Sequence, residues 1–306
     1  MGQLPLRDIW PHINRIDWRA TGFDIKKAYV CALFSELTYY RIPDFELSNA
    51  DRINVVPCLA YQSTVRERQT IDFEQILESA DFGQFFVVVR RYAIVVGVRT
   101  PNMIMVAVRG TKYLYDWLIN LRSTRYLHEG AGGASCFHKG FFRAISACLE
   151  PVSLELRKYI QSNPEPLPLY VTGHSLGGAM AAIMHAIWGM TVSAEFVQEG
   201  IVHNRLRTYA SYTFGMPRYG DMRAVTNYRQ PYHLYNEFDV VPTVPPKWLG
   251  FENCSNEFML DGSSLENIPR RESVNFAFWV SRLLSGKGVQ QHSMELYRER
   301  IAMNIS

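Results

Sequence analysis

Gly173-His174-Ser175-Leu176-Gly177 sets a serine between two glycines, after the apolar run Leu167 to Thr172 and before the small residues Gly178, Ala179, Ala181 and Ala182. A serine hydroxyl at its ordinary pKa is a weak nucleophile. It attacks a carbonyl carbon only beside a base and next to donors that hold the developing oxyanion. A strand, a sharp turn and a helix supply that setting. The turn lifts Ser175 above a sheet in a strained backbone conformation, and Gly173 and Gly177 remove side chains that would collide across it. The N–H of Leu176, at the start of the helix, points to where the oxyanion would form.

Such a serine needs a base and an acid, and the elbow architecture orders them along the chain as nucleophile, acid, histidine. Of the eight histidines, only His185, His203, His233 and His292 follow Ser175. His185 lies on the elbow helix itself and His233 inside a predicted strand, where a satisfied core histidine is the expectation. His203 is preceded only by Glu195 and Glu199, in an irregular stretch. His292 follows the Gly- and Gln-rich segment Gly286 to Gln291 and precedes a helix, which suits a base that reaches over the sheet, so it is favoured. For the acid, Asp239 follows a strand and precedes Pro242, Pro245 and Pro246, at the carboxyl end of the sheet where ligand chemistry gathers. Asp221 fits a helix cap, and Glu237 stands close enough to compete with Asp239. Thr111, just beyond the strand ending at Val108, is expected to offer the second oxyanion N–H beside Leu176.

The elements that must position these groups are legible as patterns. Leu167 to Thr172, flanked by Pro166, Pro168 and Gly173, reads as a buried strand. Residues 24–40 carry Ile25, Ala28, Tyr29, Ala32, Leu33 and Leu37 at helical spacing, closed by Pro43. Residues 1–23, with Trp10, Pro11 and Trp18, show no period and are expected to wrap the surface. Residues 41–63 read as loop and 71–79 as a helix. Residues 84–98 and 103–108 read as two β-rich runs joined by a hairpin at 99–102. In residues 112–121, Tyr113, Leu114, Trp117, Leu118 and Leu121 share one helical face, either a helix packed on the core or a lid whose apolar face meets lipid. Residues 122–137, with Gly130, Gly132 and Gly133, read as a long loop. His138 opens a helix that Pro151 should kink or restart. Further on, residues 190–206 read as an irregular or helical excursion, 207–214 as a strand, and a helix runs to about 229. A strand at 232–235, an edge strand at 256–260, and helices at 274–284 and 294–301 complete the chain. Strands alternating with helices predict an α/β fold with a mostly parallel sheet covered on both faces. The whole chain, 1–306, reads as a single α/β domain, with residues 1–80 an extension packed on a core over 84–300.

Bulk properties narrow the function classes. The chain has 306 residues, 47% hydrophobic and 20% charged, with a formal net charge of +3 and scattered basic residues, which argues against nucleic-acid binding. Five cysteines, odd in number and without a C-x-x-C pair, indicate neither a disulfide framework nor a zinc site. The first residues lack a basic segment followed by an apolar run, and no stretch reads as a membrane span. The expectation is a soluble, reduced protein, cytoplasmic or exported by a route without a recognisable signal peptide.

Taken together, several blocks resemble the class 3 lipase family, the fungal-type triacylglycerol lipases and their plant and bacterial relatives. They are Val108-Arg109-Gly110-Thr111, Asp116-Trp117-Leu118, His138-Lys139-Gly140-Phe141, Val171 to Ala179 around Ser175, Phe214 to Gly220, Asn236 to Pro242, and His292-Ser293. The resemblance implies an α/β-hydrolase fold with Ser175 as nucleophile, Asp239 as acid, His292 as base, and Thr111 with Leu176 as oxyanion hole. It also implies a lid after Thr111, including Tyr113, Leu114, Trp117 and Leu118. The implied activity is hydrolysis of lipid esters at a lipid–water interface, without metal or cofactor, by a lipase or alternatively a phospholipase A1. A catalytically silent lipid-binding scaffold is the non-enzymatic alternative.

Overall fold

The computed structural model describes residues 13–39, 84–90, 92–110, 124–130, 133–161, 167–190, 208–261, 264–268 and 290–305. The expected loop at 41–63, the helices at 71–79 and 274–284, the excursion over 190–206, Thr111 and the lid segment lie wholly or almost wholly outside these residues.

Valine-rich, β-branched runs form the strands β1 (Gln84–Arg90), β2 (Ala93–Arg99) and β3 (Ile104–Val108). A separate hairpin, β4 (Arg125–Gly130) with β5 (Gly133–His138), follows. Next come β6 (Leu169–His174), β7 (Thr208–Phe214), β8 (Tyr232–Asn236), β9 (Glu257–Asp261) and β10 (Ser264–Glu266). The main sheet has eight strands in the order β1-β2-β3-β6-β7-β8-β9-β10. From β3 to β9 neighbouring strands run parallel, while β1, β2 and β10 are antiparallel additions at the two edges. This is the mostly parallel α/β sheet expected from the alternation of elements, and it fits the α/β-hydrolase fold that the resemblance implies.

The two faces of the sheet are covered by different helices, and the period-2 alternation of the strands sorts the residues between them. All of β3 is buried. Met105 and Ala107 pack with α1 (Ile25–Leu37), Trp18 and α5 (Met294–Met303), whereas Ile104, Val106 and Val108 pack with α2 (Lys139–Gln161) and α3 (Leu176–Met190). Each such valine or isoleucine contributes about 1.5–3 kcal/mol by leaving water. Helix α1 starts at Asp24, whose carboxylate accepts the N–H groups of Lys26 and Lys27. It is pinned to the elbow strand by the Ser35 and Thr172 hydroxyls, 2.9 Å apart, and to α5 by Arg298 Nε donating to Glu36 at 2.6 Å.

Several expectations need correction. Residues 84–98 are two strands rather than one run: they pair antiparallel, with Arg90 opposite Ala93 at the closed end. Residues 122–137 contain the β4–β5 hairpin, not a plain loop; Gly130 pairs with Gly133 at its closed end, where Gly133 has φ 90°. Trp18 does not lie on the surface: it is buried edge-on against Tyr170 and its indole N–H donates to the Ile13 carbonyl. Helix α2 continues through Pro151 as one element, so it does not restart there. The helix after residue 221, α4 (Met222–Thr226), is short, and β9 is covered by β10 and so is not an edge.

His185, on α3, is buried and its pKa is pushed down to about 3, first by loss of water and then by the Arg229 charge. The fold therefore holds it neutral, while the unfolded chain protonates it near 6.5. Stability from this residue is complete above about pH 6.5 and is lost as pH falls toward 3, by up to ~1.4 kcal/mol per pH unit. Urea unfolding between pH 7 and 4.5 should show this slope, and His185→Leu should flatten it. An unchanged slope in the variant would contradict the assignment.

Candidate active site

Ser175 lies between β6 and α3 with φ 58°, the sole non-glycine residue in the left-handed region among the described residues. Such a backbone costs about 1–3 kcal/mol and persists only when neighbours over-determine it. The Ser175 N–H donates to the Phe214 carbonyl at 2.9 Å, and the Ser175 carbonyl accepts from Gly178 at 2.9 Å. The flanking glycines are steric requirements. A Cβ on Gly173 would stand 2.4 Å from the Gly177 carbonyl oxygen, and one on Gly177 would stand 2.2 Å from that of Val108. The turn is thus wedged against the end of β3. The chain leaving β3 is equally close: a Cβ on Gly110 would lie 2.6 Å from the His174 carbonyl oxygen and 3.2 Å from the Ser175 Cβ. Leu176 is the first residue of α3, in the turn whose N–H groups lack helical acceptors and carry the positive end of the helix dipole.

Asp239 and His292 meet beside this turn. Asp239 follows β8, and its Oδ1 accepts the Val241 N–H at 2.9 Å at the start of a 3-10 turn. Buried Arg218 fixes the loop beyond it, donating to the Thr243 and Pro245 carbonyls and, through Nε at 2.7 Å, to Asn253. His292 Nδ1 lies 2.7 Å from Asp239 Oδ2, and the same oxygen accepts the Tyr297 hydroxyl at 2.7 Å. The Tyr297 oxygen in turn accepts the Asn236 N–H at 3.0 Å. The Asn236 side chain donates to the Gln291 carbonyl at 2.6 Å and accepts from Arg300 at 2.9 Å, which ties the His292 loop to β8. Gly215, at φ 53°, leaves room for this cluster: a Cβ there would lie 2.7 Å from Asp239 Oδ2 and 3.0 Å from His292 Cε1. With Nδ1 committed to the carboxylate, His292 Nε2 is the ring atom left over. Nε2 and Ser175 Oγ are both buried and neither has a hydrogen-bond partner among the described residues.

The structure therefore brings together Ser175, Leu176, Asp239 and His292, four of the residues singled out from sequence. Thr111 and the lid residues Tyr113, Leu114, Trp117 and Leu118 lie outside the described residues. The competing residues have other roles. Asp221 caps α4 through the Ala224 N–H. Glu237 is exposed. His185 is in the core, and His203 lies outside the described residues. His233 Nε2 accepts the Met216 N–H at 3.1 Å, so its proton is on Nδ1, 3.3 Å from Glu257. His233, Cys254 and Glu257 lie close enough to resemble a metal-ligand group, but both imidazole nitrogens are already engaged within the protein. Tyr297 and Tyr39 are the site residues that sequence reasoning missed. Tyr297 stands five residues past His292 in a predicted helix, and neither tyrosine carries a motif of its own.

Residues 105–248 match the family model described as lipase, class 3. Through this segment, just under half of its length, the chain is similar to the class 3 lipases. A secreted mono- and diacylglycerol lipase of Fusarium solani is 28% identical over 167 residues, 53% of this chain and 45% of the relative. A lipase of Rhizomucor miehei is 29% identical over 177 residues, 55% of this chain and 45% of the relative. The chain thus spans about half the length of these relatives. Lipase II from Rhizopus niveus shares the fold, with a TM-score of 0.54 at 19% identity over 85% of this chain and 93% of that one. The expectation of a cytoplasmic protein is corrected by these findings: the similar lipase of Fusarium solani is a secreted one, which points to export and away from the cytoplasm. Among the described residues no helix is long and apolar enough to cross a membrane.

Tyr297→Phe removes a donor to Asp239 and leaves the buried Asn236 N–H without its acceptor. The expected cost is about 1–3 kcal/mol, read by urea unfolding at pH 7. A variant as stable as the parent would show that this hydroxyl does not support the site.

Proposed function

We propose that the protein is a serine carboxylic-ester hydrolase that cleaves fatty-acyl esters of glycerolipids. One observation carries the reading: a buried Asp239–His292 hydrogen bond stands beside a strained serine turn, and the serine hydroxyl and the His292 Nε2 are both left uncommitted among the described residues. In the reaction, Ser175 Oγ attacks the ester carbonyl carbon as His292 Nε2 takes its proton. Asp239 holds Nδ1–H and stabilises the imidazolium without taking the proton itself. The N–H groups of Leu176 and Thr111 receive the oxyanion. Collapse expels the alcohol, protonated by His292, and leaves an acyl-enzyme. Water, activated by the same histidine, then releases the fatty acid and restores Ser175.

The similar proteins, a mono- and diacylglycerol lipase and a lipase, support acylglycerols as the substrate class, and the secreted relative favours action outside the cytoplasm. Phospholipase A1 action would use the same groups. Fatty-acid release should therefore be measured from triacylglycerol emulsions, monoacylglycerol micelles and phosphatidylcholine vesicles, with the parent protein and Ser175→Ala side by side. The expected result is release from acylglycerols that falls at least about a thousandfold in the variant. Preference for phosphatidylcholine would change the substrate to phospholipid, and release that survives Ser175→Ala would refute the assignment of the nucleophile.

A further inference from the structure

Helix α1 lies outside the segment that matches the family, yet the chain leaving it reaches the reacting groups. Tyr39 follows the last turn of α1, and its hydroxyl is 2.8 Å from Nδ1 of His174, the residue before Ser175. On the other side of that imidazole, Nε2 is 2.8 Å from the carbonyl oxygen of His292. The two histidine rings stand 4.4 Å apart, centre to centre. A carbonyl only accepts, so the proton of His174 sits on Nε2 and its Nδ1 presents a lone pair. The Tyr39 O–H must then donate to Nδ1. The direction is self-consistent, because burial, and then the neighbouring His292, hold His174 neutral, with one ring proton to place. The Tyr39 oxygen has a second neighbour, since the Gly110 N–H hydrogen-bonds to it and a Cβ on Gly110 would fall 2.2 Å away. Arg109 lies 5.9 Å over the Tyr39 ring, which fixes the ring from outside.

Resting on the reading of Ser175 and His292 given above, we propose that Tyr39 is a positioning residue for the hydrolysis. Its hydroxyl, donating to Nδ1, reinforces the Nε2–H tautomer that the His292 carbonyl selects, and His174 Nε2–H then holds the His292 backbone where the His292 ring spans Asp239 and Ser175. The same oxygen anchors Gly110, the residue before the oxyanion donor Thr111. One hydroxyl thus couples the oxyanion loop, the elbow strand and the base, three elements far apart in the chain. The N-terminal helix becomes part of the active site through this contact. Tyr39→Phe keeps the ring and its packing but removes the donor to Nδ1, so His174 loses one of the two partners that favour the proton on Nε2.

The test uses the full chain as parent, Tyr39→Phe, His174→Gln and the double variant. Glutamine can still place an amide N–H toward the His292 carbonyl but offers Tyr39 no acceptor at the Nδ1 position. Each protein is titrated with a chromogenic phosphonate ester to count competent serines, and hydrolysis of a soluble p-nitrophenyl butyrate is then expressed per titrated site. The expected result is a fall in kcat per site of about three- to thirtyfold in each single variant, KM within about twofold, and a double variant no worse than the worse single one. Unchanged kcat per site with fewer titrated sites would mean a purely structural role and would overturn the proposal, as would penalties that multiply in the double variant. Imidazole nitrogen NMR provides a readout independent of turnover. His174 should be a single Nε2–H tautomer in the parent and a mixture in Tyr39→Phe, and an unchanged spectrum would overturn the proposal even in a protein without esterase activity. A parent that shows this tautomer but neither titrates nor hydrolyses would refute the hydrolase reading instead.

Discussion

The contact on which the site depends is the close approach of the Ser175 turn to the end of β3. Gly177 packs so tightly on the Val108 carbonyl that no side chain fits between them. That approach forces the chain to reverse within a residue, and the reversal requires the left-handed backbone at Ser175. The strain is offset by elements on both sides. The Phe214 carbonyl receives the serine N–H from β7, β3 and β7 flank β6 in parallel register, and α3 is buried along its small residues against the sheet. A parallel sheet suits this task because its strands all deliver their carboxyl ends to the same edge. The strained serine, the Gly110 corner after β3, Gly215 after β7 and Asp239 after β8 therefore converge without any long loop having to find them.

A second constraint is the buried carboxylate. Asp239 is held by the Val241 N–H, the Tyr297 hydroxyl and His292, and the elements that supply those partners are themselves cross-linked by Asn236, Gln291 and Arg300. A buried carboxylate is tolerated only when its oxygens are satisfied in this way. The consequence for chemistry is directional: the partners fix Asp239, Asp239 fixes Nδ1 of His292, and Nε2 is left without a partner among the described residues. Helix α5 acts here as more than cover for the sheet, because Tyr297 and Arg300 both come from it.

Much of this was legible in the sequence, and the reasons differ between residues. Ser175 and its glycines could be read because the turn imposes steric rules that only certain residue types meet. Asp239 and His292 could be read because chain order and the end of a strand restrict the choices. Tyr39, Tyr297 and Arg218 could not, since their roles arise from tertiary contacts and any buried tyrosine or arginine looks alike in a pattern of polarity. The β1–β2 and β4–β5 hairpins were missed for a related reason. An apolar run of fifteen residues and a glycine-bearing polar stretch each fit more than one backbone path, and pairing across the sheet makes the choice. The compartment was misread because composition constrains location weakly, whereas a secreted relative constrains it more.

The central claim is that this geometry makes Ser175, among all the serines of the chain, a nucleophile driven by His292 and Asp239. The most direct measurement is to treat the folded protein with a fluorophosphonate, digest it and locate the adduct by mass spectrometry, in the parent and in His292→Ala. The account predicts one adduct, on Ser175, formed at least about a hundredfold more slowly in the variant. An adduct on another serine, or labelling of Ser175 at an undiminished rate without His292, would contradict it.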